Sequence, residues 1–248
     1  MRVEPYSVDS IVHCIKRGGR GLPIFKNKAD YYRCIRSLYY LNDSFFDKNW
    51  NEIALENAKR NSQTIPQSKD RLFFRPDHWP SRQPLVKILC YILMPNHVHL
   101  LLKEIQEGGI TIFMKKFGQS MTNHFNIKYE TKGSIFQGSY KGKVVDEDVY
   151  LQYLSIYIMV KNAFELFHGG LEVARQNFDE AWRFAVSYPF SSLADYDATT
   201  RNSPIIDKDL LEDILGNPKE FKEFAKNVIG ESKWTDDKAL SELLLEKE

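Results

Sequence analysis

The sequence predicts an α+β fold: a central antiparallel sheet with flanking helices, followed by a helical C-terminal tail. Three observations carry that expectation. Two β-rich apolar runs, PLVKILCYILM and HVHLLLKE, are separated only by Pro95 and Asn96, a turn signal, so they read as a hairpin. An earlier run, SIVHCIKR, alternates β-branched and polar residues up to a glycine cluster and reads as a further strand. Stretches of helical periodicity separate and follow these runs.

In chain order, the first strand gives way to GGRGLP, a flexible loop. Asp30 is the expected N-cap of a helix reaching about Leu41, with Tyr32, Ile35, Leu38 and Tyr39 on one stripe. Residues 42–84 read as an insertion: NEIALENAKR suits a short helix, whereas NSQTIPQSKDR and RPDHWPSRQP are rich in proline and polar residues. After the hairpin a helix is expected from Thr111 to about Asn126, then GSIFQGSYKGKVV as a loop with a short strand. Asp146 should cap the next helix, with Glu147 and Asp148 in its first turn, where negative charge suits the helix dipole. That helix runs to about Phe167 and is apolar on nearly every side, so it should be buried. After Ser191 the chain turns polar and carries three helical pieces, DLLEDIL, PKEFKEFAKNVI and ALSELLLEKE. The expected division is a main domain over 1–200 and an acidic helical extension over 201–248.

Composition is that of a folded protein, with 43% hydrophobic and 13% aromatic residues in 248, enough for one large domain or a domain with an appendage. No apolar run approaches the roughly 18–20 residues that span a bilayer, and MRVEPYSVDS lacks the apolar centre of a signal peptide. Cys14, Cys34 and Cys90 are odd in number and widely spaced, which fits neither a disulfide framework nor a thiolate zinc site. A cytoplasmic, reduced protein with no membrane partner is the simplest expectation.

The candidate chemistry starts in MPNHVHLLLKE. Side chains alternate across a strand, so His97, His99 and Leu101 share one face while Val98, Leu100 and Leu102 take the other. Two imidazoles about 7 Å apart along the backbone can converge on one cation. Imidazole suits several transition metals and, with oxygen ligands added, Mg or Mn. The competing reading is a pair of half-buried, hydrogen-bonded histidines, and the pair alone favours it. A histidine-triad hydrolase would need a third histidine at position 101, which is leucine. Further along, Tyr150, Tyr153, Tyr157, Lys161 and Phe164 lie along one side of a helix. Most of that stripe suits a core, but a cation one turn beyond Tyr157 can lower the phenol's pKa or neutralise a phosphate. A phenolate beside a metal-bound phosphate is a sound nucleophile. His13, His78, His124 and His168 are expected to be structural, and Phe74 and Trp79 to serve either core or contact.

Net charge is only +1, but its distribution is uneven. Lys16 to Arg36 holds seven basic residues and one acid, Lys115 to Lys143 six lysines and one acid, and Asp207 to Glu248 seven lysines against twelve acids. Lys16, Arg17 and Arg20 flank glycines whose exposed amides suit phosphate. Lys115, Lys116, Lys141 and Lys143 extend that track, and Phe136 and Gln137 sit on a loop where an unpaired base can stack or bond. The bland alternative for each is an ordinary solvated surface.

Taken together, these segments resemble the single-tyrosine HUH transposases, in particular the REP-associated and insertion-sequence-200-like tyrosine transposases. MPNHVHLLL resembles the HUH motif, VHCIKRGGRGLPIF the first strand and its Arg-Gly loop, MKKFGQSMTNHFNIKYETKGSIFQGSYKGKVV a helix followed by the Gly-x-x-Phe-Gln-Gly loop, DEDVYLQYLSIYI the nucleophile helix, and YPFSSLADY the segment beyond it. The resemblance covers roughly residues 10–196. It implies a ferredoxin-like HUH-endonuclease fold, usually dimeric, with His97 and His99 binding Mg or Mn. It implies that Tyr157 attacks a single-stranded DNA phosphodiester beside a hairpin, leaving a 5′-phosphotyrosine and a free 3′-OH. The family usually continues this helix as Tyr-Ile-x-x-Asn-Pro, whereas YIMVKNAF sets Lys161 at the asparagine position. A protonated lysine cannot ligate a metal. That leaves Asn162, or a residue from another segment, to complete the shell, and Lys161 to contact the scissile phosphate. Two other functions are compatible with these residues: a domesticated hairpin-DNA-binding protein without cleavage activity, and a metal-dependent nucleotide phosphodiesterase.

Overall fold

The computed structural model describes residues 6–60, 73, 75–197, 203–230 and 238–245. Four strands, β1 (Ile11–Arg17), β2 (Val86–Met94), β3 (His97–Glu104) and β4 (Lys141–Val144), form one sheet in the order β2-β3-β1-β4. Every neighbouring pair is antiparallel. Helix α1 (Lys28–Tyr40) links β1 to β2, and α3 (Gly109–Tyr129) links β3 to β4, so the chain follows the βαββαβ order of a ferredoxin-like sheet. The insertion contributes α2 (Trp50–Arg60).

Strand alternation divides the core. Val12, Cys14, Val98, Leu100 and Leu102 face α1 and α3, packing with Leu38, Phe113 and Phe117. On the other face Leu101 and Cys90 meet the helices that follow β4. Pairing shifts between Ile88 and Cys90, so Leu89 is the extra residue of a β-bulge. The bulge lets Ile88 and Tyr91, three residues apart, enter the same core.

Three helix starts differ from expectation. Asn27, not Asp30, caps α1: its side chain accepts from the Ala29 and Asp30 amides, and Asp30 returns a bond from the Asn27 amide. Asp30 is thus the reciprocal member of a capping box. Glu147 rather than Asp146 takes the cap position of α4 (Asp148–Ile156). Helix α3 starts two residues earlier than expected, because buried Glu104 accepts the Ile110 amide at 2.8 Å.

The insertion is clamped at its root. Buried Asn42 accepts from the amides of Leu85 and Val86, and buried Asp43 takes the Gln83 amide and pairs with Arg75 at 2.6 Å. Trp79 is buried against Tyr40 and Phe45, so it serves the core. Phe74 lies outside the described residues.

Beyond β4 the chain is helical: α4, a π-helical turn (Tyr157–Lys161), α5 (Asn162–Glu165), α6 (Gly170–Gln176), α7 (Phe178–Ser187), α8 (Leu193–Asp197), α9 (Lys208–Leu215), α10 (Pro218–Gly230) and α11 (Lys238–Leu243). Leu211, Phe221, Val228 and Leu243 share one core with Trp182 and Tyr196, so α9–α11 are packed into the body of the fold.

Asp30 also ties α1 to α3, accepting from Lys128 at 2.6 Å and from Tyr129 at 2.6 Å. Burial raises its pKa, but the bonds from Lys128, Tyr129 and the Lys26 amide outweigh it and hold the carboxyl at about 2. A carboxylate depressed in the folded state contributes stability above its unfolded pKa, and the contribution fades as pH falls from about 4 towards 2. Asp30→Asn is therefore expected to cost roughly 1–3 kcal/mol in urea unfolding at pH 7, with the gap to wild type closing as the pH approaches 2.

Candidate active site

The register of β1 against β3 assembles the site. Ile15 pairs with His99 and Arg17 with His97, so His13 lies one pleat along on the same face, diagonal to His99. His13 Nε2 and His99 Nδ1 are 2.9 Å apart, and the two rings stack with centroids 5.1 Å apart. His97 meets His99 edge-on at 4.8 Å. Tyr157 comes down from above the sheet, its ring 5.5 Å from His99 and 6.4 Å from His13. His13, His99 and Tyr157 are fully buried, and His97 nearly so.

Hydrogen bonds order the imidazoles. His13 Nδ1 is 2.6 Å from the Leu243 carbonyl, which can only accept, so His13 donates from Nδ1. Its Nε2 is then the acceptor for His99 Nδ1–H, which leaves the lone pair of His99 on Nε2. That nitrogen is buried with no hydrogen-bond partner among the described residues. Burial, then the neighbouring His13 and His97, hold the His99 pKa well below the usual imidazole value, so the ring is neutral. His97 Nδ1 lies 2.6 Å from Asn96 Oδ1, an acceptor, so His97 donates from Nδ1 and its lone pair is on Nε2, in the same sense as His99.

The π turn carries the tyrosine. The Asn162 backbone amide donates to the Tyr157 carbonyl, and Asn162 Nδ2 donates to the same oxygen at 2.9 Å. A five-residue turn needs such a reason to persist, and π turns gather at functional sites. Asn162 Oδ1 is buried with no hydrogen-bond partner among the described residues. Lys161 Nζ sits 4.9 Å from the centre of the Tyr157 ring and pairs with Glu165 at 2.6 Å.

The expected binding residues separate onto two sides. Arg17, Lys141 and Lys143 belong to the histidine face, since Lys141 pairs with Ile15 and Lys143 with His13. Arg17, Gln137 and Lys141 line a 150 Å³ cavity there, bounded by Leu245. Lys16, Lys115 and Lys116 lie on the α3 side instead. Phe136 is buried beneath Lys16, whose Nζ is 4.4 Å from the ring centre, so this ring is not displayed for stacking. Arg20 is exposed in the turn after β1. His13 is the residue that sequence reasoning missed: in SIVHCIKR it alternates with Ile11 and Ile15, and only the pairing of β1 with β3 brings it to His99.

The C-terminal residues close this face. Besides the Leu243–His13 contact, Leu243 and Leu244 are buried in the same core as Tyr157, and Glu242 pairs with Lys143 at 3.3 Å.

Residues 81–161 match the IS200-like transposase family. That segment, about a third of the chain, holds His97, His99, Tyr157 and Lys161. No curated protein matches the chain. A solved structure of a REP-associated tyrosine transposase bound to a REP hairpin is similar at 12% identity and a TM-score of 0.38, over 84% of this chain and 94% of that one. No helix among the described residues is long and apolar enough to cross a membrane.

Removing residues 238–248 takes away the carbonyl that binds His13 and the leucines over the site. Nitration of Tyr157 by tetranitromethane, mapped by peptide mass, should rise at least several-fold in the shortened chain. An unchanged rate, in a chain that still melts cooperatively, would show that these residues do not shield it.

Proposed function

We propose that this protein nicks and rejoins single-stranded DNA beside hairpins through a 5′-phosphotyrosine at Tyr157, with a divalent metal at His97 and His99. The observation that carries the proposal is the meeting of Tyr157 with this histidine pair on one face of the sheet, within the segment that matches the transposase family.

In this mechanism Tyr157 Oη attacks the phosphorus of a phosphodiester as the phenol gives up its proton. The bond from phosphorus to the 3′ oxygen breaks, and that oxygen leaves as a 3′-OH on taking a proton. The 5′ side stays on the tyrosine. One P–O bond has replaced another, so a 3′-OH from another strand can reverse the exchange without ATP. Lys161, beside the Tyr157 ring, and Arg17 and Lys141, on the same face, supply positive charge to the phosphate. His13 acts on His99, holding its Nδ1 so that Nε2 is free to ligate.

The donor set suits magnesium or manganese: neutral imidazole nitrogen with amide oxygen. His99 Nε2 and Asn162 Oδ1 are buried atoms that lack other partners among the described residues. No group of three or more His, Cys, Asp or Glu is placed to share an ion among those residues. His97, His99 and Asn162 would therefore hold the metal, with substrate or water oxygen completing its shell. When bound, it withdraws charge from the phosphoryl oxygens.

The buried position of Tyr157 favours a second reading, a hairpin-binding protein that does not cut. The two separate on one experiment with hairpin-flanked single-stranded DNA. A covalent adduct should form with Mg or Mn in the chain lacking residues 238–248, vanish with chelator, and vanish in Tyr157→Phe while hairpin affinity stays within about twofold. Retained hairpin binding with no adduct in any divalent metal would favour the binding protein.

A further inference from the structure

Each imidazole of the His97–His99 pair bonds to a side chain that ends in turn on a backbone carbonyl from another segment. For His99 the chain runs through His13 to the Leu243 carbonyl. For His97 it runs through Asn96. His97 Nδ1 lies 2.6 Å from Asn96 Oδ1, and Asn96 Nδ2 donates to the Gly21 carbonyl at 3.1 Å. A carboxamide can turn either end toward a neighbour, but a carbonyl only accepts. The Gly21 carbonyl therefore takes the NH2 end and leaves the oxygen for His97. His97 then carries its proton on Nδ1 and its lone pair on Nε2. With the amide turned over, Asn96 would donate to Nδ1, and the imidazole proton would sit on Nε2, where it blocks a metal.

The Gly21 carbonyl belongs to the turn after β1, which is built against the β2–β3 hairpin. The Gly18 amide donates to the Asn96 carbonyl at 2.7 Å, and the Ile24 amide to the Pro95 carbonyl at 2.9 Å. Within the turn, the Gly21 and Leu22 amides return to the Gly18 and Gly19 carbonyls. Gly18 is held so closely that a Cβ there would fall 2.2 Å from the Leu22 carbonyl oxygen. Arg20 and Gly21 follow one another in the left-handed region, with φ of 57° and 70°. The Gly21 carbonyl takes its direction from this backbone, and glycine adopts it without strain. A Cβ at Gly21 would meet nothing within 4 Å, so a side chain there acts on the backbone and not by contact.

We propose that Asn96 is a positioning residue through which the Gly18–Leu22 turn sets the tautomer of His97. The turn and the His97 side of the site are then one unit. A change that redirects the Gly21 carbonyl lowers the affinity of His97 and His99 for a divalent cation, and by linkage a bound cation steadies the turn. The inference rests on the metal reading of the histidine pair and gives a task to two residues outside the ligand set. Hydrogen-bond partners of metal-binding imidazoles are worth roughly 10–100-fold in metal affinity.

Nitrogen NMR of isotopically labelled histidines in the full chain reads the tautomer directly, without metal and at about pH 8, where a free imidazole is neutral. Wild-type His97 should be protonated on Nδ1. Asn96→Ala should move its shifts toward the Nε2–H form, and Gly21→Val should do so in part. Asn96→Asp, which accepts and cannot donate, should hold the Nδ1–H form. Manganese affinity, read from the electron paramagnetic signal of the free ion, should fall about tenfold in Asn96→Ala and at least about threefold in Gly21→Val. Adding Gly21→Val to Asn96→Ala should cost less than about twofold more, because the link is already cut. Asn96 is half-buried and Gly21 exposed, so both changes should be tolerated, and thermal melts confirm folding. A wild-type His97 protonated on Nε2, a tautomer or a manganese affinity unmoved by Asn96→Ala, or fully additive losses in the double variant overturns the proposal. If the shifts move as expected and the wild type binds no manganese, the metal reading fails alone. If manganese binds and the shifts stay still, this inference fails alone.

Discussion

The pairing of β1 with β3 is the constraint on which the rest of the structure depends. Placing Ile15 opposite His99 sets His13 diagonal to it and puts Arg17 beside His97. A slip of one residue would send His13 and Arg17 to the opposite face and bring Cys14 and Lys16 to the histidines. Burial enforces the register. Val12 and Cys14 fill the α1–α3 core, where a misplaced histidine or arginine would lose its partners. The same hydrophobic packing that stabilises the sheet thus positions the candidate chemistry.

The second fixed point is the π turn. Asn162 binds the Tyr157 carbonyl through both backbone and side chain, so the widened turn is held at the residue that faces the histidines. This gives Asn162 a structural task and still leaves its Oδ1 available. Lys161 cannot ligate a metal, but it lies against the Tyr157 ring, paired with Glu165, where its charge bears on the phenol's surroundings. Lysine at position 161 therefore contributes to the electrostatics of the site, and an amide stands in the next position.

Charge is organised by face. The sheet separates the basic residues near Tyr157 from those around α3, and the acidic C-terminal segment reaches the first group through Glu242 and Lys143. Because α9 and α10 contribute Leu211, Phe221 and Val228 to the core, that segment is built into the fold and its closing contacts with His13 are supported from below. A net charge near zero hides two basic surfaces because the compensating acids lie mostly elsewhere in the chain.

The sequence by itself determined the hairpin, the shared face of His97 and His99, the burial of the helix carrying Tyr157, and the short helix in the insertion. These are legible because strand and helix periods, turn residues and apolar runs act over a few residues. The capping of α1 by Asn27 was legible in principle and misread, since Asp30 belongs to the same box. Tertiary structure alone decided that His13 joins the site, that Phe136 is covered, and that Leu243 closes it. Those contacts join residues 86 and 230 positions apart. No local period encodes such a separation; it follows from which faces the assembled core can bury.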